Sequence, residues 1–336
     1  MITASPSARL SSPARDWREL WRDAITDAAE LLQAVGLGDR TDLLPADDAG
    51  FALRVPRGFV ARMRRGDPHD PLLLQVLPQL AEHDRGEGYT ADPVGDMASK
   101  AGHGVLHKYD GRALLIASGS CAINCRYCFR RHFPYNEEIA AASQWREALA
   151  QVQADPSIRE LILSGGDPLA LATHKLEELT RGLAELPQII RLRIHTRLPV
   201  VLPERIDEAL VSWLGGLPLQ KVVVLHANHA NEFDASVDAA CARLRGAGAT
   251  LLNQSVLLRG VNDEVAALAE LSERLSAAGV LPYYLHQLDR VQGAAHFEVD
   301  DRVALELQQA LQARLPGYLV PRFVREVAGD AAKRPL

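Results

Sequence analysis

Apolar residues recur at helical spacing through Leu20, Trp21, Ile25, Ala28, Leu31, Leu32 and Val35, up to Gly36. This spacing predicts an amphipathic N-terminal helix, and Asp16 with Glu19 gives it a start of the capping-box kind. From Asp39 to about Asp96 the pattern breaks up among proline, glycine and charge, as in Arg54-Val55-Pro56-Arg57, Gly66-Asp67-Pro68 and His69-Asp70-Pro71. Short helices and loops packed on a neighbour are expected there.

After residue 110 short apolar runs alternate with amphipathic stretches. Ala113–Ala117, Leu161–Leu163, Ile189–Ile194, Val222–Leu225, Thr250–Leu252 and Leu281–Leu285 read as strands. Thr173–Leu183, Glu204–Trp213, Ala235–Arg245 and Asp263–Ala278 read as helices, the last closed by Gly279;. Six βα units at intervals of roughly 30 to 45 residues predict an α/β fold, a parallel sheet curled into a partial or full (β/α) barrel with its chemistry at the C-terminal ends of the strands. A doubly wound open sheet is the rival, because strand order is not visible in sequence. Residues 316–327 read as one more strand leading into a C-terminal tail. The expected organisation is a helical and loop region over 1–100 and a barrel with its tail over 101–336.

The 336 residues, 47% of them apolar, suffice for a sizeable core;. A net charge of −6 gives no overall basic field, so nucleic acid is not an expected partner;. Met1–Arg15 has no apolar signal-type run, and no later stretch approaches the roughly 20 residues that span a bilayer. A cytoplasmic protein without a membrane partner is expected. Of the four cysteines, Cys121, Cys125 and Cys128 fall within eight residues and Cys241 stands apart. That distribution suits metal binding in a reducing compartment better than a disulfide framework.

Cys121-Ala-Ile-Asn-Cys125-Arg-Tyr-Cys128 follows the first predicted barrel strand. Three thiolates on a tight loop can hold three irons of a [4Fe–4S] cluster and leave the fourth open to a ligand. The alternative is a structural zinc site completed by His132. Ser164-Gly165-Gly166-Asp167-Pro168-Leu169 follows the second strand; taken alone, such a segment most often forms a turn;. Cys241, inside a predicted helix, reads as a small buried apolar side chain.

With these two motifs the sequence resembles the radical SAM (S-adenosylmethionine) superfamily. The segments Leu106–Arg112, Arg130–Phe133, His226–Glu232, Asn253–Arg259 and Pro282–Phe297 narrow the likeness to lysine 2,3-aminomutases, over nearly the whole chain. Phe51–Pro56 and Leu281–Asp289 bring it nearest to the short form that makes (R)-β-lysine for elongation factor P.

The resemblance implies a [4Fe–4S] cluster on Cys121, Cys125 and Cys128, SAM, and pyridoxal phosphate (PLP). It places PLP on Lys333 as a Schiff base, its phosphate near Lys108 and Arg112, and the substrate carboxylate on Arg130. Gly165, Gly166, Asp167, His226 and Gln254 fall around SAM or the cofactor pocket, and Asp289 and Glu326 face the substrate's ε-ammonium group. The implied partners are free lysine, an electron donor such as flavodoxin or ferredoxin, and, by function, a β-lysine ligase and elongation factor P. The longer aminomutases continue into a segment with zinc-binding cysteines that helps build their oligomer; neither that zinc site nor that assembly is expected here. The rival activities are a free-standing metabolic lysine or glutamate 2,3-aminomutase and a non-catalytic metal-binding protein.

Overall fold

Among the described residues ten strands succeed one another across a single sheet in the order of the chain. The computed structural model describes residues 15–45, 50–84, 86–140, 145–183 and 185–336. The strands are β1 (Lys100–Gly102), β2 (Val105–Tyr109), β3 (Arg112–Ser118), β4 (Glu160–Gly165), β5 (Arg191–Thr196), β6 (Gln220–His226), β7 (Ala249–Val256), β8 (Leu281–His286), β9 (Arg322–Arg325) and β10 (Arg334–Pro335). β3 to β9 run parallel, while β1–β2–β3 and β9–β10 are antiparallel margins. A doubly wound sheet must reverse its strand order, so the sequential order excludes that rival. Among the described residues β1 and β10 do not pair, and the sheet is an open, partial barrel rather than a full one.

The helices are α1 (Trp17–Arg22), α2 (Ala28–Ala34), α3 (Arg57–Val60), α4 (Pro71–Leu74), α5 (Arg146–Ala154), α6 (Thr173–Leu183), α7 (Leu198–Val201), α8 (Glu208–Gly215), α9 (Ala235–Gly246), α10 (Val265–Ala277) and α11 (Asp301–Arg314). The single N-terminal helix expected from the apolar spacing divides into α1 and α2. Its middle is diverted because Ile25 and Val55 exchange backbone hydrogen bonds, each 2.9 Å, and Asp27 then caps α2 through a 2.7 Å bond from the Glu30 N–H. The helix expected over Glu204–Trp213 begins later, because Asp207 accepts from the Leu210 N–H at 2.8 Å and starts α8 there. Of 316–327 only β9 is strand; a short helical turn at Gly317–Leu319 precedes it.

Period-2 alternation gives the strands two different faces. Leu115, Leu161, Leu163, Leu192 and Ile194 point to the helices and join one hydrophobic core. Burying each such side chain contributes about 1.5–3 kcal/mol. Arg112, Ile162, Ser164, Arg193 and His195 alternate with them and point into a cavity on the other face. The core also takes in Ile25, Leu31, Phe59, Leu72 and Leu73, so the N-terminal helices pack on the barrel's own core.

Candidate active site

The cavity, about 480 Å³, opens at the C-terminal ends of the parallel strands. Cys121, Cys125 and Cys128 line it from the loop after β3, Gly165, Gly166 and Asp167 from the end of β4, His226 from β6 and Gln254 from β7. Lys108, Arg112, Arg130, Asp289, Glu326 and Lys333 complete the set, so every residue that the resemblance assigns to the site lines one space, while His132 and Cys241 lie outside it.

The cysteine loop rests on the N-terminal region. Asn124 donates from its backbone N–H to the Arg54 carbonyl at 3.0 Å and from Nδ2 to the Ala52 carbonyl at 2.8 Å. Arg126, within the loop, and Arg131, just after it, both ion-pair with Glu82, all three side chains buried. Removing one partner from such a group leaves an uncompensated buried charge. Burial pushes the Cys121 thiol well up and the Cys128 thiol to about 11.

Among the described residues no three His, Cys, Asp or Glu side chains gather round one ion position. A cluster puts each cysteine on a different iron and does not ask the sulfurs to converge. His132, the fourth ligand a zinc site would need, instead sets its Nε2 3.2 Å from the Gln292 carbonyl oxygen. Three thiols on one wall of an open cavity therefore fit a cluster better than a Cys3His ion site.

Beside the cysteines the β3 and β4 ends approach closely. A Cβ on Gly166 would stand 2.6 Å from the Ser120 carbonyl oxygen, and one on Gly165, whose φ is +112°, 2.7 Å from that of Ser118. Only glycine fits, and bare backbone faces the cavity. The Asp167 carboxylate accepts from the Thr196 hydroxyl at 2.7 Å and from the N–H groups of Leu169, Arg197 and Leu198 at 3.0, 2.7 and 3.1 Å. It ties β4 to β5, and burial pushes its pKa upward.

The opposite wall is charged. Lys333, next to β10, donates to Glu326 just after β9, and Glu326 also accepts from the Tyr109 hydroxyl at 2.6 Å. Lys108 Nζ lies 2.7 Å from Asp96 and 3.7 Å from Glu326. Arg130 Nε donates to Asp96 at 2.6 Å and its Nη1 to the Ser164 hydroxyl at 3.0 Å. Arg112 stacks on the Tyr109 ring at 4.6 Å. Burial raises Asp289 to about 7. Burial acts upward on Glu326 too, but Lys333, Tyr109 and Lys108 hold it below the ordinary range. Burial lowers His226 to about 4, so it faces the cavity neutral.

The Radical SAM superfamily profile matches residues 115–272. L-lysine 2,3-aminomutase of Escherichia coli (strain K12) is 50% identical over 330 residues, which cover 97% of this chain and 96% of that one. This chain belongs to the lysine 2,3-aminomutase family. The L-lysine 2,3-aminomutase of Haemophilus influenzae is 45% identical, over 95% of each chain. That of Clostridium subterminale is 32% identical, over 96% of this chain and 77% of its own.

For a member of the aminomutase family, sequence reasoning overlooked several residues of the cavity wall. Asp96 ends a stretch read as loop and carries no motif. Arg197, His195 and His286 stand at or just past the ends of β5 and β8, where strand-end polar residues of a (β/α) barrel invite attention;. Burial drives His195 and His286 well below the ordinary histidine range, so both stand neutral.

Proposed function

We propose that the chain converts L-lysine to β-lysine by moving the amino group from carbon 2 to carbon 3. The observation that carries this reading is the meeting in one cavity of three cysteine thiols with Lys333 and two acidic side chains, Asp289 and Glu326. When bound, the [4Fe–4S] cluster with SAM supplies a carbon-centred radical and PLP supplies the carbonyl carbon that carries the migrating nitrogen.

Cys121, Cys125 and Cys128 would hold the cluster. The backbone at Gly165 and Gly166 accommodates the amino end of SAM, within a wall that includes Asp167, His226 and Gln254. Lys333 takes the PLP carbonyl, with Lys108 and Arg112 supplying positive charge for the phosphate. Arg130, already oriented by Asp96 and Ser164, offers its remaining N–H groups to the substrate carboxylate;. Glu326 pairs with an ammonium in the structure, that of Lys333, and the substrate's ε-ammonium brings the same charge to it. Asp289 stands in the same wall. Two carboxylates there attract lysine and repel glutamate, which disfavours the glutamate aminomutase reading. The cavity would hold carbon 3 of lysine near the radical.

The region up to residue 100 serves in this reading as the bed of the cysteine loop. The likeness of Phe51–Pro56 and Leu281–Asp289 to the short family members supports an (R) product passed, through a β-lysine ligase, to elongation factor P. A flavodoxin or ferredoxin type of protein would deliver the electron. Anaerobic incubation of the reconstituted protein with lysine, SAM and PLP should yield β-lysine by amino-acid analysis. Unchanged lysine with an intact cluster would overturn the reading. Deletion of the gene tests the finer step, since elongation factor P should then lose its β-lysyl mass increment.

A further inference from the structure

Arg197 leaves β5 just before α7 and is buried. Its Nη1 donates to the Cys125 sulfur at 2.6 Å and to the Tyr127 hydroxyl at 2.7 Å, and its Nη2 to Gln75 Oε1 at 2.7 Å and to Glu232 Oε2 at 3.0 Å. Three of these partners, Gln75, Tyr127 and Glu232, are fixed in turn. Asn228 donates to both Gln75 and the Tyr127 hydroxyl, and Glu232 accepts from the Asn228 and His229 N–H groups and from Gln75 Nε2. The guanidinium is thus held by residues of three separate chain segments, and one of its N–H bonds points at a cysteine sulfur rather than at an oxygen.

From this geometry we infer that Arg197 is a positioning residue that sets the reduction potential of the cluster through the Cys125 sulfur. The inference rests on the cluster reading of the three cysteines. A cation and an N–H donor at a ligand sulfur stabilise the added electron of the reduced cluster, because reduction makes the cluster more negative. The desolvated surroundings strengthen the effect, since few waters screen the charge. Glu232 offsets part of the cation's field and holds its orientation.

The test is an EPR-monitored redox titration of the reconstituted holoenzyme as wild type, Arg197→Lys and Arg197→Gln, with iron and sulfide analysis of each. The Gln variant should show at least about a tenfold lower ratio of reduced to oxidised cluster at a fixed potential, equivalent to about 59 mV for one electron. The Lys variant, which keeps the charge and loses the fork, should fall between it and the wild type. Equal potentials in all three would overturn the inference. If the Gln variant assembles no cluster, the Lys variant decides, and a wild-type potential there would overturn it. A wild type that takes up no four-iron cluster would remove the cluster reading itself, which separates the two failures.

Discussion

The two ends of the cavity are built in opposite ways. At the cysteine end a short loop is clamped by buried partners: Glu82 under Arg126 and Arg131, and Arg197 against Cys125. At the lysine end Lys333 lies just before the two-residue marginal strand β10 and is held by an ion pair to Glu326 and a cation–π contact with the Tyr284 ring. Lys333 retains 26% side-chain exposure, whereas the side chains of Arg126 and Glu82 retain none. On the proposed reading the difference separates a rigid cradle that would hold a cluster from a tethered arm whose amine would stay free to react. A lysine locked as firmly as Arg126 could not exchange its partner.

The largest effects should fall at the rigid end. Cys121→Ala, Cys125→Ala and Cys128→Ala should each abolish SAM cleavage, measured as release of 5′-deoxyadenosine, while Cys241→Ala, buried in α9, should retain it;. Retained cleavage in any of the first three would sever the cysteine loop from the chemistry.

Next comes the tethered end. Lys333→Ala should lose the visible absorbance of bound PLP and the borohydride-fixed cofactor on the C-terminal peptide, with cluster content unchanged. Labelling of Lys108 instead would move the attachment point to the other lysine beside Glu326.

The acidic pair should give smaller losses. Asp289→Asn or Glu326→Gln should lower kcat/KM for lysine by about a hundredfold, within the roughly 2–5 kcal/mol expected for removing one partner of a desolvated pair. SAM binding should persist, and wild type should strongly prefer lysine to glutamate and alanine. Because burial raises Asp289 to about 7, its carboxylate forms only as pH rises through that value. KM for lysine should therefore worsen below about pH 7, and Asp289→Asn should flatten that dependence. For folding the sign is opposite: a raised carboxyl pKa contributes stability at low pH that fades as pH rises through about 7;.

The smallest effect on chemistry should come from beneath the loop. Glu82→Gln leaves Arg126 and Arg131 without their shared carboxylate, and urea unfolding should show a loss of about 3–5 kcal/mol. Turnover per intact cluster should change little. An unchanged midpoint would mean that the clamp contributes nothing to the rigidity of this end.

The same contrast explains what was legible in sequence. The cysteine motif and the glycine pair are local: spacing and strand context point to them, and the structure places them at the ends of β3 and β4. The strand ends were harder to see. Apolar runs mark where β5, β6, β7 and β8 begin, but Thr196, His226, Asn253, Gln254 and His286 extend them with polar residues that turn into the cavity or bond to a neighbouring strand. The polar strand-end residues thus fall just where the hydrophobic pattern stops reporting a strand. Asp96 and Arg197 could not be found locally, since their partners Arg130 and Cys125 lie 34 and 72 residues away. The division of the N-terminal helix has the same origin, because Val55, which draws Ile25 out of the helix, is distant in sequence.

On the proposed reading both ends of the cavity serve a single reaction on lysine. Lysine deuterated at carbon 3 can be incubated anaerobically with the reconstituted protein, SAM and PLP, and the label followed by mass spectrometry. Deuterium should appear in recovered SAM at the 5′ carbon and at carbon 2 of β-lysine. β-Lysine formed with no label ever entering SAM, or label lost wholly to water, would contradict the account.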